Sequence, residues 1–120
     1  MYSAGVLDHF KSPRNVGELA DATALVEVSN PACGDVMQLS VRVESAGISA
    51  VAFRTRGCVT AIACGSVLTE MLVGKTIEQA RAILPATIAE ALGGLPPATF
   101  HGSQLACDAL EAVLLKLGQS

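Results

Sequence analysis

Hydrophobic and polar residues alternate over residues 37–43, where Met, Leu, Val and Val are separated by Gln, Ser and Arg. This period of two predicts a β-strand with one face in the core and the other face towards solvent. Two further β-branched or alternating stretches, Ala24–Ser29 and residues 50–56, flank it and are separated from it by turns that contain Gly34 and Gly47. The pattern therefore predicts an antiparallel meander of three strands.

Elsewhere the apolar residues recur every three or four positions, which predicts helices. Ser3 is placed to cap the N-terminus of one of these helices, and Thr76 is placed to cap another. Pro85 is placed to end the helix that begins at Thr76. The predicted helices cover residues 3–11, 59–73, 76–83, 87–92 and 103–117.

Three strands followed by a run of helices predict an α+β fold, in which a small three-stranded antiparallel sheet packs against helices. Strands and helices do not alternate along the chain as a Rossmann fold requires. A chain of 120 residues suits one domain, which we expect to span residues 1–120.

The composition excludes several classes of function. Hydrophobic residues make up 51% of the chain, which is too many for a disordered tail, yet no apolar run approaches the roughly 20 residues of a membrane span. Eight basic and 11 acidic residues, no Trp and one Tyr argue against binding to nucleic acid. The N-terminus lacks the apolar segment of a signal peptide, so we expect a cytoplasmic protein.

The chain contains four cysteines: Cys33, Cys58, Cys64 and Cys107. In a small secreted protein they would be interpreted as two disulfides, but no export signal accompanies them here. In a reducing compartment a cysteine binds metal, carries out sulfur chemistry or packs in the core.

Three groups of residues carry candidate chemistry at the ends of predicted elements. Cys33 and Asp35 flank Gly34 in a turn between two strands, Cys58 stands where a strand changes to a helix, and His101 stands where a loop changes to a helix. A helix N-terminus favours the thiolate of Cys58, the form that binds metal or attacks sulfur. Taken one at a time, a buried Cys beside a turn and a His at a helix start are also ordinary structural features.

Together these residues offer two sulfurs, one nitrogen and one oxygen if their elements converge at one edge. That set is acceptable for Zn²⁺, and two thiolates also suit iron–sulfur chemistry. Cys64 shares the apolar stripe of its helix, which favours a place in the core, and Cys107 lies beside the stripe of the last helix, which favours packing.

The chain resembles the IscU/NifU-type family of iron–sulfur cluster assembly scaffolds over nearly its full length. The motifs that carry the resemblance include Leu7-Asp8-His9-Phe10, Pro13-Arg14-Asn15-Val16-Gly17, Pro31-Ala32-Cys33-Gly34-Asp35, Gly57-Cys58, Leu68-Thr69-Glu70, Leu95-Pro96-Pro97 and His101 with Ser103.

The resemblance implies a SufE/NifU-like α+β fold and a scaffold that accepts sulfur from a cysteine desulfurase, builds a [2Fe-2S] cluster and passes it to apo iron–sulfur proteins. It implies that Cys33 and Cys58 are cluster ligands, that Asp35 is the carboxylate that makes the cluster labile, and that His101 is the neighbouring histidine. Iron, a [2Fe-2S] cluster or zinc is the implied cargo.

The chain departs from the family pattern at two places. Gly102 stands where the family has a third cysteine directly after the histidine, and Cys64 stands where many relatives have serine, so Cys64 is a candidate replacement ligand as well as a core residue. The family's chaperone loop reads Leu-Pro-Pro-Val-Lys, whereas residues 95–99 read Leu-Pro-Pro-Ala-Thr. Loss of the basic residue argues against transfer through an Hsp70-type chaperone.

Three functions remain open at this point. The first is a scaffold or carrier of iron–sulfur clusters, which is not an enzyme. The second is a zinc-containing relay that accepts persulfide sulfur on Cys58 without storing a cluster. The third is a structural or regulatory relative that has lost metal chemistry together with the third cysteine.

Overall fold

The computed structural model describes residues 2–31 and 34–118 and has the predicted α+β architecture. The chain order is α1 (Ala4–Lys11), β1 (Ala24–Ser29), β2 (Val36–Glu44), β3 (Gly47–Arg56), α2 (Val59–Leu72), α3 (Ile77–Arg81), α4 (Pro85–Ala91), a 3-10 turn (Pro97–Thr99) and α5 (His101–Gly118). In the part of the chain that is described, no helix is long and apolar enough to cross a membrane.

The three strands form the predicted antiparallel meander in the order β1-β2-β3. Strand β3 begins at Gly47, three residues before the predicted start, because only Ser45 and Ala46 separate it from β2. Both turn residues have a positive φ, of 53° and 65°. Such a two-residue turn matches the twist of the strands, so pairing continues up to it.

One face of the sheet forms the core with helices α2 and α5. Leu39 pairs with Phe53 across β2 and β3, and both side chains point towards these helices with 0% and 1% of their surface exposed. Helix α2 is apolar on most sides because the sheet, α1 and α5 all contact it. Its N-terminus follows β3 after two residues, which places Gly57 and Cys58 at the edge of the core.

Three predicted helix boundaries needed correction. Helix α3 ends at Arg81, two residues before the predicted end, because the N–H groups of Ala82 and Ile83 bond to carbonyls three residues back. Pro85 does not only end the preceding helix: it is the first residue of α4, a position where the missing N–H costs nothing because the first turn has no internal acceptor for it. Helix α5 begins at His101, two residues before the predicted start. The predicted cap at Thr76 is confirmed, since its hydroxyl accepts the N–H of Gln79 and the Gln79 side chain accepts the N–H of Thr76.

Helix α1 is fixed to α2 by His9, to which the sequence assigned no role. The imidazole is buried, with Nδ1 at 2.8 Å from Ser66 Oγ and Nε2 at 3.4 Å from Glu70 Oε1. The carboxylate of Glu70 favours a proton on Nε2, which leaves Nδ1 to accept the Ser66 hydroxyl. The same hydroxyl oxygen accepts the backbone N–H of Arg14 at 2.9 Å.

We expect mild acid to destabilise the metal-free protein through His9. Burial, assisted by the charge of Arg14, lowers the pKa of His9 below its usual 6.5, so the unfolded chain takes up this proton first. Stability should therefore fall as pH drops below about 6.5 and stop falling below the lowered folded-state pKa. Urea unfolding measures this effect. Between pH 7.5 and 5.5 the free energy of unfolding should fall less for His9→Gln than for wild type, and an equal fall in both proteins would contradict this role of His9.

Candidate metal centre

Cys58 is the residue immediately before the first turn of α2, and its side chain is half-buried. Its thiol can donate to Asp35 Oδ2 at 3.4 Å, while His101 Nε2 lies 3.3 Å and Thr60 Oγ1 lies 3.1 Å from the sulfur. The sulfur thus faces a carboxylate, an imidazole and a hydroxyl near the positive end of a helix dipole. The carboxylate and the imidazole are groups that can share a metal ion with the sulfur.

Asp35 reaches the site from the loop that leads into β2. Its side chain is buried, and its backbone carbonyl accepts the N–H of Asn30 at 2.9 Å, which closes the loop. The carboxylate lies directly against Gly57, where an added Cβ would be 2.6 Å from Asp35 Cγ. Gly57 therefore leaves the space that the carboxylate occupies beside Cys58.

His101 is the first residue of α5 and completes the cluster. Its Nε2 lies 3.8 Å from Asp35 Oδ2 in addition to its contact with Cys58. One ligand atom from each of Asp35, Cys58 and His101 lies within 4.8 Å of the other two. A thiolate, an imidazole and a carboxylate are ligand types that zinc and iron accept, so these three residues could hold a metal ion.

The structure brings together three of the five predicted ligands. Cys33, the predicted second thiolate, lies outside the described residues. Cys64 has 0% exposure in the core, and burial, assisted by the charge of Cys58, raises the pKa of its thiol to about 12. A buried thiol of this kind packs as a small apolar group, and Cys64 is not part of the converging set found among the described residues.

Cys107 lies in α5 and packs against the segment between α3 and α4: burial raises the pKa of its thiol, and its sulfur contacts the Ile83 carbonyl at 3.7 Å. This position agrees with the packing role that the sequence favoured.

Sequence reasoning missed Thr60 and Gly57. Thr60 is fully buried next to the Cys58 sulfur, and its place two residues after a cysteine at a helix start was the available signal.

A cavity of about 590 Å³, lined largely by α4 and the start of α5, also reaches His101 and has the exposed ring of Phe100 on its wall.

Residues 1–119 match the family described as NifU-like N terminal domain. The chain is 49% identical over 115 residues to the iron-sulfur cluster assembly scaffold protein IscU 1 of Archaeoglobus fulgidus, covering 96% of this chain and 75% of that one. It is 48% identical to IscU of Haemophilus influenzae, covering 94% and 92%, and 45% identical to IscU of Escherichia coli, covering 94% and 91%.

Solved structures share the fold. A NifU-like N-terminal protein from Brucella abortus superposes with a TM-score of 0.81 at 17% identity, covering 98% of this chain and 94% of that one. A putative iron-sulfur cluster assembly scaffold protein of the SUF system from Fervidobacterium islandicum gives 0.75 at 23% identity, covering 94% and 96%. With these matches over nearly the whole chain, the protein belongs to the NifU-like N-terminal domain family.

Proposed function

We propose that this protein is a scaffold on which iron–sulfur clusters are assembled and from which they are passed on. The observation that carries the proposal is the convergence of Asp35, Cys58 and His101 within 4.8 Å at one edge of the sheet. The relatives named as iron-sulfur cluster assembly scaffolds, at 45–49% identity over most of the chain, support it.

Cys33 completes the proposed ligand set, because it is two residues before Asp35 in the same loop. Two thiolates with an imidazole and a carboxylate would hold iron, a [2Fe-2S] cluster or zinc. Thiolates bind such cargo tightly, whereas a carboxylate oxygen is a harder and more exchangeable donor. A mixed set of this kind suits a cluster that must be released again.

The proposed sulfur donor is a cysteine desulfurase, and Cys58 is the proposed acceptor. The Cys58 thiolate attacks the outer sulfur of the donor's persulfide, a new S–S bond forms at Cys58, and the donor's cysteine leaves as a thiolate. The exchange needs no external oxidant. The Thr60 hydroxyl and the His101 ring are within reach to donate to the Cys58 sulfur. Apo iron–sulfur proteins are the proposed recipients.

A zinc-containing sulfur relay is the second candidate function. It is favoured by the glycine at residue 102, because a glycine supplies no thiolate beside His101. A four-coordinate zinc site accepts imidazole nitrogen and carboxylate oxygen as well as thiolate sulfur, so Cys33, Asp35, Cys58 and His101 would satisfy it without a third cysteine.

Anaerobic reconstitution with ferrous iron and sulfide separates the two functions. A scaffold should develop visible absorption bands and retain iron and sulfide through desalting. A relay should stay colourless, retain zinc and gain about 32 Da, one sulfur atom, on Cys58 after incubation with a desulfurase and cysteine. If the protein retained no metal and gained no sulfur adduct, both functions would be contradicted.

Asp35→Ala should lengthen the lifetime of a reconstituted cluster in air severalfold. The carboxylate is the exchangeable donor through which solvent or an acceptor thiol enters. Decay of the visible absorption measures the lifetime. Asp108→Ala is the matched control, because this carboxylate is hydrogen-bonded to Gln104 on the surface of α5. An unchanged or shorter lifetime for Asp35→Ala would exclude the proposed role.

A further inference from the structure

The first turn of α5 lies against the first turn of α2 with no side chain between them. Gly102 is buried at this contact. An added Cβ would lie 3.0 Å from the carbonyl carbon of Thr60 and 3.1 Å from both the Thr60 oxygen and the Ala61 nitrogen. Ordinary van der Waals contacts of a Cβ fall at 3.4–4 Å, so any side chain here requires the two helix turns to move apart by a few tenths of an ångström.

The contact involves backbone on both sides, and this limits how it can adapt. A flexible side-chain tip could rotate away from a new Cβ, but the Thr60 peptide is held within the helical turn that begins at Cys58. Thr60 is two residues from Cys58, and Gly102 is next to His101. Separating the two turns therefore moves the imidazole relative to the sulfur that it approaches at 3.3 Å.

We propose that Gly102 is a positioning residue of the metal centre, because the missing side chain lets α5 approach the α2 backbone and so sets the distance between His101 and Cys58. The inference rests on the proposed metal centre but not on the cluster as its cargo. In this chain, Gly102 stands at the position of the family's third cysteine and forms a contact between α5 and α2. A cysteine restored by Gly102→Cys must first force the helices apart, so it should not simply add a fourth strong ligand.

A metal-free measurement tests the position of the imidazole directly. The ¹⁵N resonance of His101 Nε2 should shift when Cys58→Ser is introduced into the wild-type chain, because the two side chains are in contact. In the Gly102→Ala background the same change should cause a much smaller shift. An equal shift in both backgrounds would overturn the proposal.

A double-mutant cycle on cobalt affinity tests whether Gly102 acts through His101. Gly102→Ala alone should weaken Co²⁺ binding by about tenfold or more, the usual effect of displacing a ligand through its surroundings. In the His101→Ala background it should weaken binding little further. Gly118→Ala is the matched control on the same helix, since a Cβ there meets no atom within 4 Å.

The remaining outcomes are decisive as well. An equal loss of affinity in both backgrounds, or loss of the folded amide spectrum in Gly102→Ala, would show that Gly102 serves the packing of the whole chain and not the position of His101. Failure of wild-type protein to form a cluster while the cobalt cycle behaves as expected would contradict the scaffold function and leave the positioning role intact.

Discussion

Cys58→Ser is expected to lower the affinity for zinc or cobalt by more than about a hundredfold and to abolish cluster retention. The Cys58 sulfur lies 3.3 Å from His101 and 3.4 Å from Asp35, closer than these two lie to each other at 3.8 Å, so it is the central donor of the three. A serine hydroxyl occupies a similar volume but remains protonated and is a poor ligand for these metals. Competition with a chelator, followed by elemental analysis, measures the loss.

Cys107→Ser is the matched control for this prediction. The same chemical change is made at a buried cysteine whose sulfur contacts the Ile83 carbonyl and which is not in the set of Asp35, Cys58 and His101 found among the described residues. We expect metal affinity to remain within about twofold of wild type, because distant and independent sites do not couple. Equal losses in Cys58→Ser and Cys107→Ser would show that the metal is not bound where Asp35, Cys58 and His101 meet.

The fold could be predicted because its signals are local. Alternation over residues 37–43 and the cap at Thr76 each depend on neighbours within a few positions. The error at Pro85 has the same origin: a proline ends one helix and begins another equally well, and the local pattern does not distinguish the two. The early start of β3 depends on a left-handed turn at Ser45 and Ala46, two residues that rarely adopt this conformation.

The site was predicted only in part, for a different physical reason. Cys58, Asp35 and His101 could be identified because each bears reactive chemistry at an element end. The packing roles of Gly57 and Gly102 could not be predicted, because their contribution is the absence of a side chain where distant backbone or a carboxylate approaches. Such a role becomes visible only once the neighbouring elements are in place. Cys64 differs from them: the resemblance made it a candidate ligand as well as a core residue, and its helix directs the side chain into the core.

Gly65→Ala is expected to destabilise the protein, although alanine normally favours a helix over glycine by about 1 kcal/mol. Gly65 lies in the middle of α2 where the helix crosses the sheet. An added Cβ would lie 2.6 Å from two ring carbons of Phe53 and 3.0 Å from the terminal methyl of Met37. Phe53 is 1% exposed and surrounded by core, so its ring has no free space to enter. Overpacking of this kind costs roughly 1–3 kcal/mol and should exceed the gain in helix propensity.

Urea unfolding measures this effect, and two variants isolate its cause. Gly118→Ala adds the same methyl group to a helix in open space and should change the free energy of unfolding by less than about 0.5 kcal/mol. Phe53→Leu introduced into Gly65→Ala removes ring atoms from the point of contact. It should therefore be less destabilising there than in the wild-type chain, because the two changes offset each other's volume. If Gly65→Ala proved as stable as wild type, or if the two substitutions were simply additive, α2 would not be held against β3 as closely as the contacts at Gly65 require.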